Sequence, residues 1–264
     1  MKLPTVLILL ILFATVSSCI PTKDLTYLQQ KGSQQDSLVA ITLQQRPYRV
    51  QINDVLSIRV KALDQKLVEL FNPVSTGTEG ASLGEGYYYD GFAVDRHGKI
   101  RVPTLGEISV LGYTVEEIRE IIEKKLLDDY FTEEANIFVT VKLAGIKYTI
   151  AGEVTSPGTK VELTEQLTLM EAIANSGDIL ITGDRKDIVI IRQYAGGQSV
   201  NHIDLTSIDA MNSPYYYVQP NDLILVNPLP QKSFGSGTTG LQSFTTILSI
   251  VTALTTAILL FIRL

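Results

Sequence analysis

The sequence is poor in the residues that most active-site chemistry needs. Its 264 residues include one cysteine, two histidines and no tryptophan. A single cysteine forms no internal disulfide, and so few sulfur and imidazole ligands exclude a zinc site built from His and Cys. Positive charge is also short, with 22 basic residues against 28 acidic ones, a formal charge of −6 and a pI near 5.0. A nucleic-acid binder needs a basic face to neutralise phosphates, so that class is set aside. The length allows one large domain or two small ones. What is plentiful is apolar surface: 45% hydrophobic residues and a mean hydropathy of +0.18, beside 19% charged residues. The excess sits at the two ends.

At the N-terminal end, Lys2 precedes a mostly apolar run from Leu3 to Val16, and Ser17-Ser18 leads into Cys19. An early positive charge, a short apolar stretch and small residues read as a secretory signal over 1–18. The run is too short for a spanning helix, which takes roughly 20 apolar residues. Val16-Ser17-Ser18-Cys19 resembles a bacterial lipobox, in which the cysteine becomes the mature N-terminus and carries lipid. The alternative is an ordinary signal with a chance cysteine, but the only cysteine of the chain falls at the cleavage point. Residues 19–46, rich in Gln, Ser, Lys and Thr, are expected to form a lipidated tether.

At the other end, Phe244 to Ile262 holds no charged residue. As a helix it would rise about 28 Å, close to a bilayer core of roughly 30 Å. A transmembrane helix over 244–262 is therefore expected, behind a Gly/Ser/Thr-rich linker at 231–243. Thr245, Ser249, Thr252 and Thr256 fall on one helical face, and Ile247, Val251, Leu254, Ile258 and Phe261 on the opposite one. The second set is the candidate lipid-facing side. The hydroxyl set either bonds its own backbone and packs against neighbours, or faces a water-filled pore between several copies. Gly235-Ser236-Gly237-Thr238-Thr239-Gly240 matches G-x-G-x-x-G, yet the expected membrane span follows it instead of an amphipathic helix and no acid stands at the required distance, so it is a hinge.

Between the ends, short strand-like runs alternate with two helices. Leu56, Ile58 and Val60 alternate as in a half-buried strand behind the Asn53-Asp54 turn. Phe92 to Val102 reads as a hairpin turning at Arg96-His97-Gly98. Thr114-Val115-Glu116-Glu117 and Thr168-Leu169-Met170-Glu171 are capping boxes, and Gly177 is placed to close the second helix. Val50-Gln51-Ile52-Asn53-Asp54-Val55-Leu56 is echoed by Val218-Gln219-Pro220-Asn221-Asp222-Leu223-Ile224. The two capping boxes echo each other in the same way. The reading is an α+β chain of two small mixed-sheet units, each with one packing helix, followed by the C-terminal transmembrane helix.

These residues resemble the polysaccharide-export outer-membrane lipoproteins of the Wza type. Tyr48 to Leu56, the run Val94 to Gly106 and Gly112-Tyr113-Thr114 are similar to the polysaccharide-export domain, here 47–145. Ile150 to Val154, Ser156-Pro157-Gly158, Thr168 to Gly177 and Asn221-Asp222 are similar to the β-grasp module called SLBB, here 146–230. The resemblance implies a lipid on Cys19, a location at the bacterial outer membrane with the main body in the periplasm, and a homo-oligomeric ring. It further implies a channel in which the hydroxyl stripe faces the lumen, with capsular or extracellular polysaccharide as cargo. The implied partner is an inner-membrane polysaccharide co-polymerase or chain-length regulator, which in some systems carries a tyrosine kinase domain. Asn53-Asp54 departs from the more usual Gly-Asp, Ser176-Gly177-Asp178 stands where Gly-Gly is frequent, and a single SLBB-like unit is present.

No catalytic constellation can be assembled, and no metal or cofactor is expected. His97 lies in a turn and His202 in a strand. The acidic pairs Glu116-Glu117, Asp128-Asp129 and Glu133-Glu134 are neighbours in sequence, which do not face each other across a sugar. The runs Tyr87-Tyr88-Tyr89 and Tyr215-Tyr216-Tyr217 suit either sugar contact or packing. Two functions compete: an oligomeric export conduit without chemistry on the polymer, and a membrane-anchored envelope scaffold or glycan-binding protein that forms no pore.

Overall fold

The computed structural model describes residues 20–30, 47–62, 65–72, 91–132, 135–194, 196–233, 245, 248–253 and 256. The signal region 1–18, Cys19, Tyr87 to Tyr89 and the linker 234–243 lie outside the described residues.

The first unit is built on strand β1 (Val55–Lys61), which pairs antiparallel with β2 (Phe92–Ala93) on one side and β5 (Phe138–Leu143) on the other. Leu56, Ile58 and Val60 point inward as their alternation requires, and all three are buried. The expected hairpin over 92–102 does not form as such. β2 pairs with β1, while β3 (Lys99–Val102) turns back on β4 (Gly106–Ser109) through Pro103 to Leu105. Asp95 explains the switch: its side chain accepts the His97 and Lys99 amides and bends the chain out of β2. Helix α1 (Val115–Asp129) opens with the expected reciprocal capping bonds, Glu117 N–H to Thr114 Oγ1 at 3.2 Å and Thr114 N–H to the Glu117 carboxylate at 2.8 Å. Its Ile118, Ile122 and Leu126 are wholly buried in the first core. Each such side chain contributes about 1.5–3 kcal/mol of transfer free energy.

Only Ala144-Gly145 separates β5 from β6 (Ile146–Gly152) of the second unit. Here one five-stranded sheet has the order β7-β6-β10-β8-β9, with β7 at Gly158–Glu162, β8 at Gly183–Tyr194, β9 at Gly197–Ile203 and β10 at Leu223–Pro228. β6 and β10 run parallel and every other pair is antiparallel. The parallel pair requires a crossover, and the chain between them carries helix α2 (Leu169–Ala174) on the way. The second capping box forms as read, and Gly177 follows α2 at φ +77°. Gly152 sits at φ +93°, where an added Cβ would come within 2.0 Å of the Val226 carbonyl oxygen. Only glycine lets β6 and β10 approach so closely.

The described part of the expected tether is docked. Leu28 and Gln29 N–H donate to the carbonyls of Leu205 and Thr206 (2.9 and 2.7 Å), and Ile208 N–H returns a bond to Gln29. Tyr27 and Leu28 pack on the second core. Composition is silent about this because two apolar residues amid polar ones carry no period.

The expected membrane-spanning helix over 244–262 is corrected: among the described residues, no helix is long and apolar enough to cross a membrane. Among the described residues the fold class is accordingly two α+β units with no helix long and apolar enough to span a membrane, and the porin-like reading that rested on such a helix is withdrawn. Thr252 Oγ1 donates to the carbonyls of Leu248 and Ser249 (2.8 and 2.9 Å), and Thr256 Oγ1 to that of Thr252 at 2.7 Å. These hydroxyls bond their own backbone, one of the two roles open to the stripe. Thr245, Ser249 and Val251 are exposed, whereas Ile247, Leu254, Ile258 and Phe261 lie outside the described residues.

Candidate functional site

The densest buried polar cluster lies where the two units meet, and the repeated Asn-Asp turn builds both halves of it. In the first unit Asn53 takes φ +71°, and the Asp54 carboxylate turns back to accept the Gln51 N–H at 2.8 Å. In the second, Asn221 takes φ +65° and Asp222 accepts the Gln219 N–H, also at 2.8 Å. Asparagine tolerates this left-handed conformation better than most residues, which is why it precedes the aspartate in each copy. Each turn feeds a central strand of its sheet, β1 and β10.

The two aspartates are held differently. Asp222 is 1% exposed and receives two parallel bonds from Arg192, Nε to Oδ1 at 3.0 Å and Nη2 to Oδ2 at 2.7 Å. Arg192 also donates to the Tyr217 carbonyl and stacks over the Tyr215 ring, 5.3 Å from its centroid. Burial opposes the guanidinium charge, and the Asp222 bonds outweigh it, so its pKa rises. Asp54, 3% exposed, has neutral partners: the Tyr48 hydroxyl at 2.6 Å, the Gln51 amide and the Asn221 side-chain amide at 3.3 Å. Burial pushes its carboxyl up to about 6, while the Tyr48 and Gln51 bonds pull the other way. Tyr48 is pushed up as well, by burial and then by the Asp54 charge. The Asn221-to-Asp54 bond crosses from the second unit to the first, so the cluster is a joint. No buried side-chain polar atom in it lacks a partner, an arrangement that positions domains.

The remaining sequence candidates are scattered. His97 is exposed in its turn, and His202 pairs with Asp187 at 2.5 Å on the surface. Glu117 is occupied by its capping box, and Glu133-Glu134 lie outside the described residues. Tyr216 is buried, and Tyr215 and Tyr217 pack against the second core, so this run is packing. Cys19 lies outside the described residues. Among those described, no group of three or more His, Cys, Asp or Glu is arranged to hold a metal ion. Sequence reasoning marked both Asn-Asp turns but missed Arg192 and Tyr48, the groups that make them a joint. The available signal was an arginine in the otherwise apolar run Ile188 to Ile191.

Comparison with known proteins accounts for both units. Residues 42–142 match the family model for polysaccharide biosynthesis/export proteins, and residues 146–226 match that of the SLBB domain. The chain is 32% identical over 152 residues to the EPS I polysaccharide export outer membrane protein EpsA of Ralstonia nicotianae, covering 55% of this chain and 39% of that protein. It is 27% identical over 188 residues to EpsA of Ralstonia solanacearum, covering 69% of this chain and 48% of that protein. The chain thus spans about half the length, or less, of the curated relatives it matches. Export proteins of this architecture are non-catalytic, and their domains stand in the periplasm at the bacterial outer membrane. With an export domain and an SLBB domain joined in tandem through a shared buried cluster, the chain has a domain architecture that matches the Wza-type polysaccharide-export outer-membrane family.

Proposed function

We propose that the protein is a membrane-anchored envelope scaffold of a polysaccharide-export system, acting on the polymer without chemistry. Lipid on Cys19 holds it at the outer membrane, and its two units present a fixed periplasmic surface to the capsular or extracellular polysaccharide. Its partner is an inner-membrane polysaccharide co-polymerase or chain-length regulator, with or without a tyrosine kinase domain. The observation that carries this reading is the joint: Arg192, Asp222, Asn221, Asp54 and Tyr48 lock two export-type units into one body. A scaffold has to keep its binding faces in register, and a fully bonded buried cluster does that.

A second feature supports self-association into a periplasmic ring. Among the described residues the five-stranded sheet ends in two edges that pair with no further strand, β7 and β9, which expose Val161 and Val200. Open apolar edges invite strand pairing, and contact between two different edges repeats head to tail until a ring closes. Deletion of the gene followed by complementation tests the main reading. Surface polysaccharide should disappear, return with the wild-type chain, and fail to return with Cys19→Ser, whose product should leave the membrane fraction. Unchanged surface polysaccharide in the deletion strain defeats the proposal. The mass of the full chain in mild detergent separates a closed ring from a monomeric scaffold.

A further inference from the structure

We infer that the tip formed by Leu180 and Ile181 is a lipid-contact site, the point at which the second unit touches the membrane surface. Leu180 and Ile181 are adjacent and exposed, at 41% and 51%. Two neighbouring large apolar side chains in a connection between elements cost solvation and gain nothing within the monomer. Nor is the tip a loose loop. Arg185 Nη2 and Nη1 hold the carbonyls of Ile179 and Leu180 at 2.6 and 3.3 Å, and Leu180 N–H donates to Glu153 at 3.0 Å. Asp178 takes φ +72° to start the turn. The backbone is fixed, and the side chains are held outward.

The chain that leads back to Cys19 identifies lipid as the occupant. The N-terminal segment that follows Cys19 is fastened beside this tip: Asp24 pairs with Lys186 at 2.7 Å, Tyr27 donates to Asp178 at 2.5 Å, and Arg185 stacks over the Tyr27 ring at 5.1 Å. Five residues from Asp24 to Cys19 reach at most about 18 Å, so a lipidated Cys19 stands within that radius of the Asp24 backbone. The end of β10 is fastened at the same place. Pro228 pairs with Gly183, Leu229 N–H donates to Thr182 at 2.7 Å, and Lys232 pairs with Glu153 at 2.5 Å. The acids here, Asp24, Asp178 and Glu153, are already engaged by Lys186, Tyr27 and Lys232, which lowers the repulsion that anionic headgroups would otherwise meet. The joint to the first unit lies at the opposite end of the same strand, at Arg192 of β8. The contact rests on the reading that Cys19 carries lipid.

Depth-dependent quenching on the full chain tests it. Lipid on Cys19 leaves no other thiol in the sequence, so Ile181→Cys introduces a single labelling site. Gln198→Cys, on the exposed β8–β9 hairpin about 33 Å along β8 from the tip, is the comparison. Both are labelled with an environment-sensitive nitrobenzoxadiazole fluorophore and reconstituted in phosphatidylethanolamine–phosphatidylglycerol vesicles containing nitroxide-labelled lipid. The label at 181 should shift to the blue and be quenched about twofold or more over that at 198, as for a side chain buried 5–10 Å in the interface. Equal quenching at the two positions in protein that floats with the vesicles overturns the contact and leaves the anchor standing. Protein whose intact mass shows no lipid on Cys19 and which stays in the supernatant overturns the anchor and the contact together.

Discussion

Removing the guanidinium of Arg192 is the sharpest test of the joint. In Arg192→Met the Asp222 carboxylate, 1% exposed, keeps the Gln219 amide and loses both charge-assisted bonds, at 3.0 and 2.7 Å. The Tyr217 carbonyl loses its donor as well. Breaking a buried pair while leaving one charge behind typically costs about 3–5 kcal/mol, far more than the net worth of the pair. Adding Asp222→Asn removes the stranded charge and preserves an acceptor for Gln219, so the double variant should recover about half of that loss or more. Urea unfolding of the full chain in mild detergent, followed by far-ultraviolet circular dichroism and tyrosine fluorescence, gives the three differences of the cycle. A loss below about 1 kcal/mol for Arg192→Met would show that water reaches Asp222. A double variant as unstable as the sum of the singles would show that the two side chains do not act as a pair. Either result refutes the account of the joint.

Asp54 gives a pH dependence of opposite sign to that of an ion-paired carboxylate. Its folded pKa, about 6, lies above the ordinary 3.8, so its contribution to stability is fully present below pH 3.8 and is lost as pH rises through 6. The stability of wild type relative to Asp54→Asn should therefore increase by about 2.4 kcal/mol between pH 7.5 and 4, read from urea midpoints across that range. Gly152→Ala should lose on the order of 3 kcal/mol or more, because its Cβ would meet the Val226 carbonyl at 2.0 Å in a left-handed backbone; the same melts check it. Thr114→Ala and Thr168→Ala should each cost about 1 kcal/mol, since each removes one half of a reciprocal cap at α1 or α2. Tyr27→Phe should speed amide exchange of Leu28 and Gln29 without moving the global midpoint, because it loosens only the docked segment.

What the sequence made legible follows short-range rules. Both capping boxes, the left-handed Gly177 and the buried face of β1 depend on neighbours a few residues away, and each stands where the pattern put it. The pairing of β2 with β1 was not legible, because Phe92-Ala93 is too short to carry a period and Asp95 redirects the chain by a side-chain bond. The doubled Asn-Asp motif could be seen but not understood. Arg192 lies 30 residues from Asp222, and Asn221 lies 167 from Asp54, so neither partner is visible until the sheets bring them together. Docking of residues 20–30 escaped for the same reason, since polar composition reports weak burial and not the absence of backbone pairing. At the C-terminal end, an apolar run of the right length suggested a spanning helix, and that inference did not survive.

The run of β8 and β10 has a mechanical consequence. Asn221, in the turn that feeds β10, bonds Asp54 of the first unit at one end of these two strands, while Gly183 and Pro228, paired at the other end, lie near Lys186, which pairs with Asp24 of the segment that follows Cys19. A polymer or partner dragging on the first unit would therefore pull along the strand axis, loading the β8–β10 ladder in shear. The inter-strand hydrogen bonds lie across that axis and share such a load together, whereas a pull from the side would open them one at a time. The same two-strand element that carries the joint is thus oriented to bear tension between the periplasm and the outer membrane.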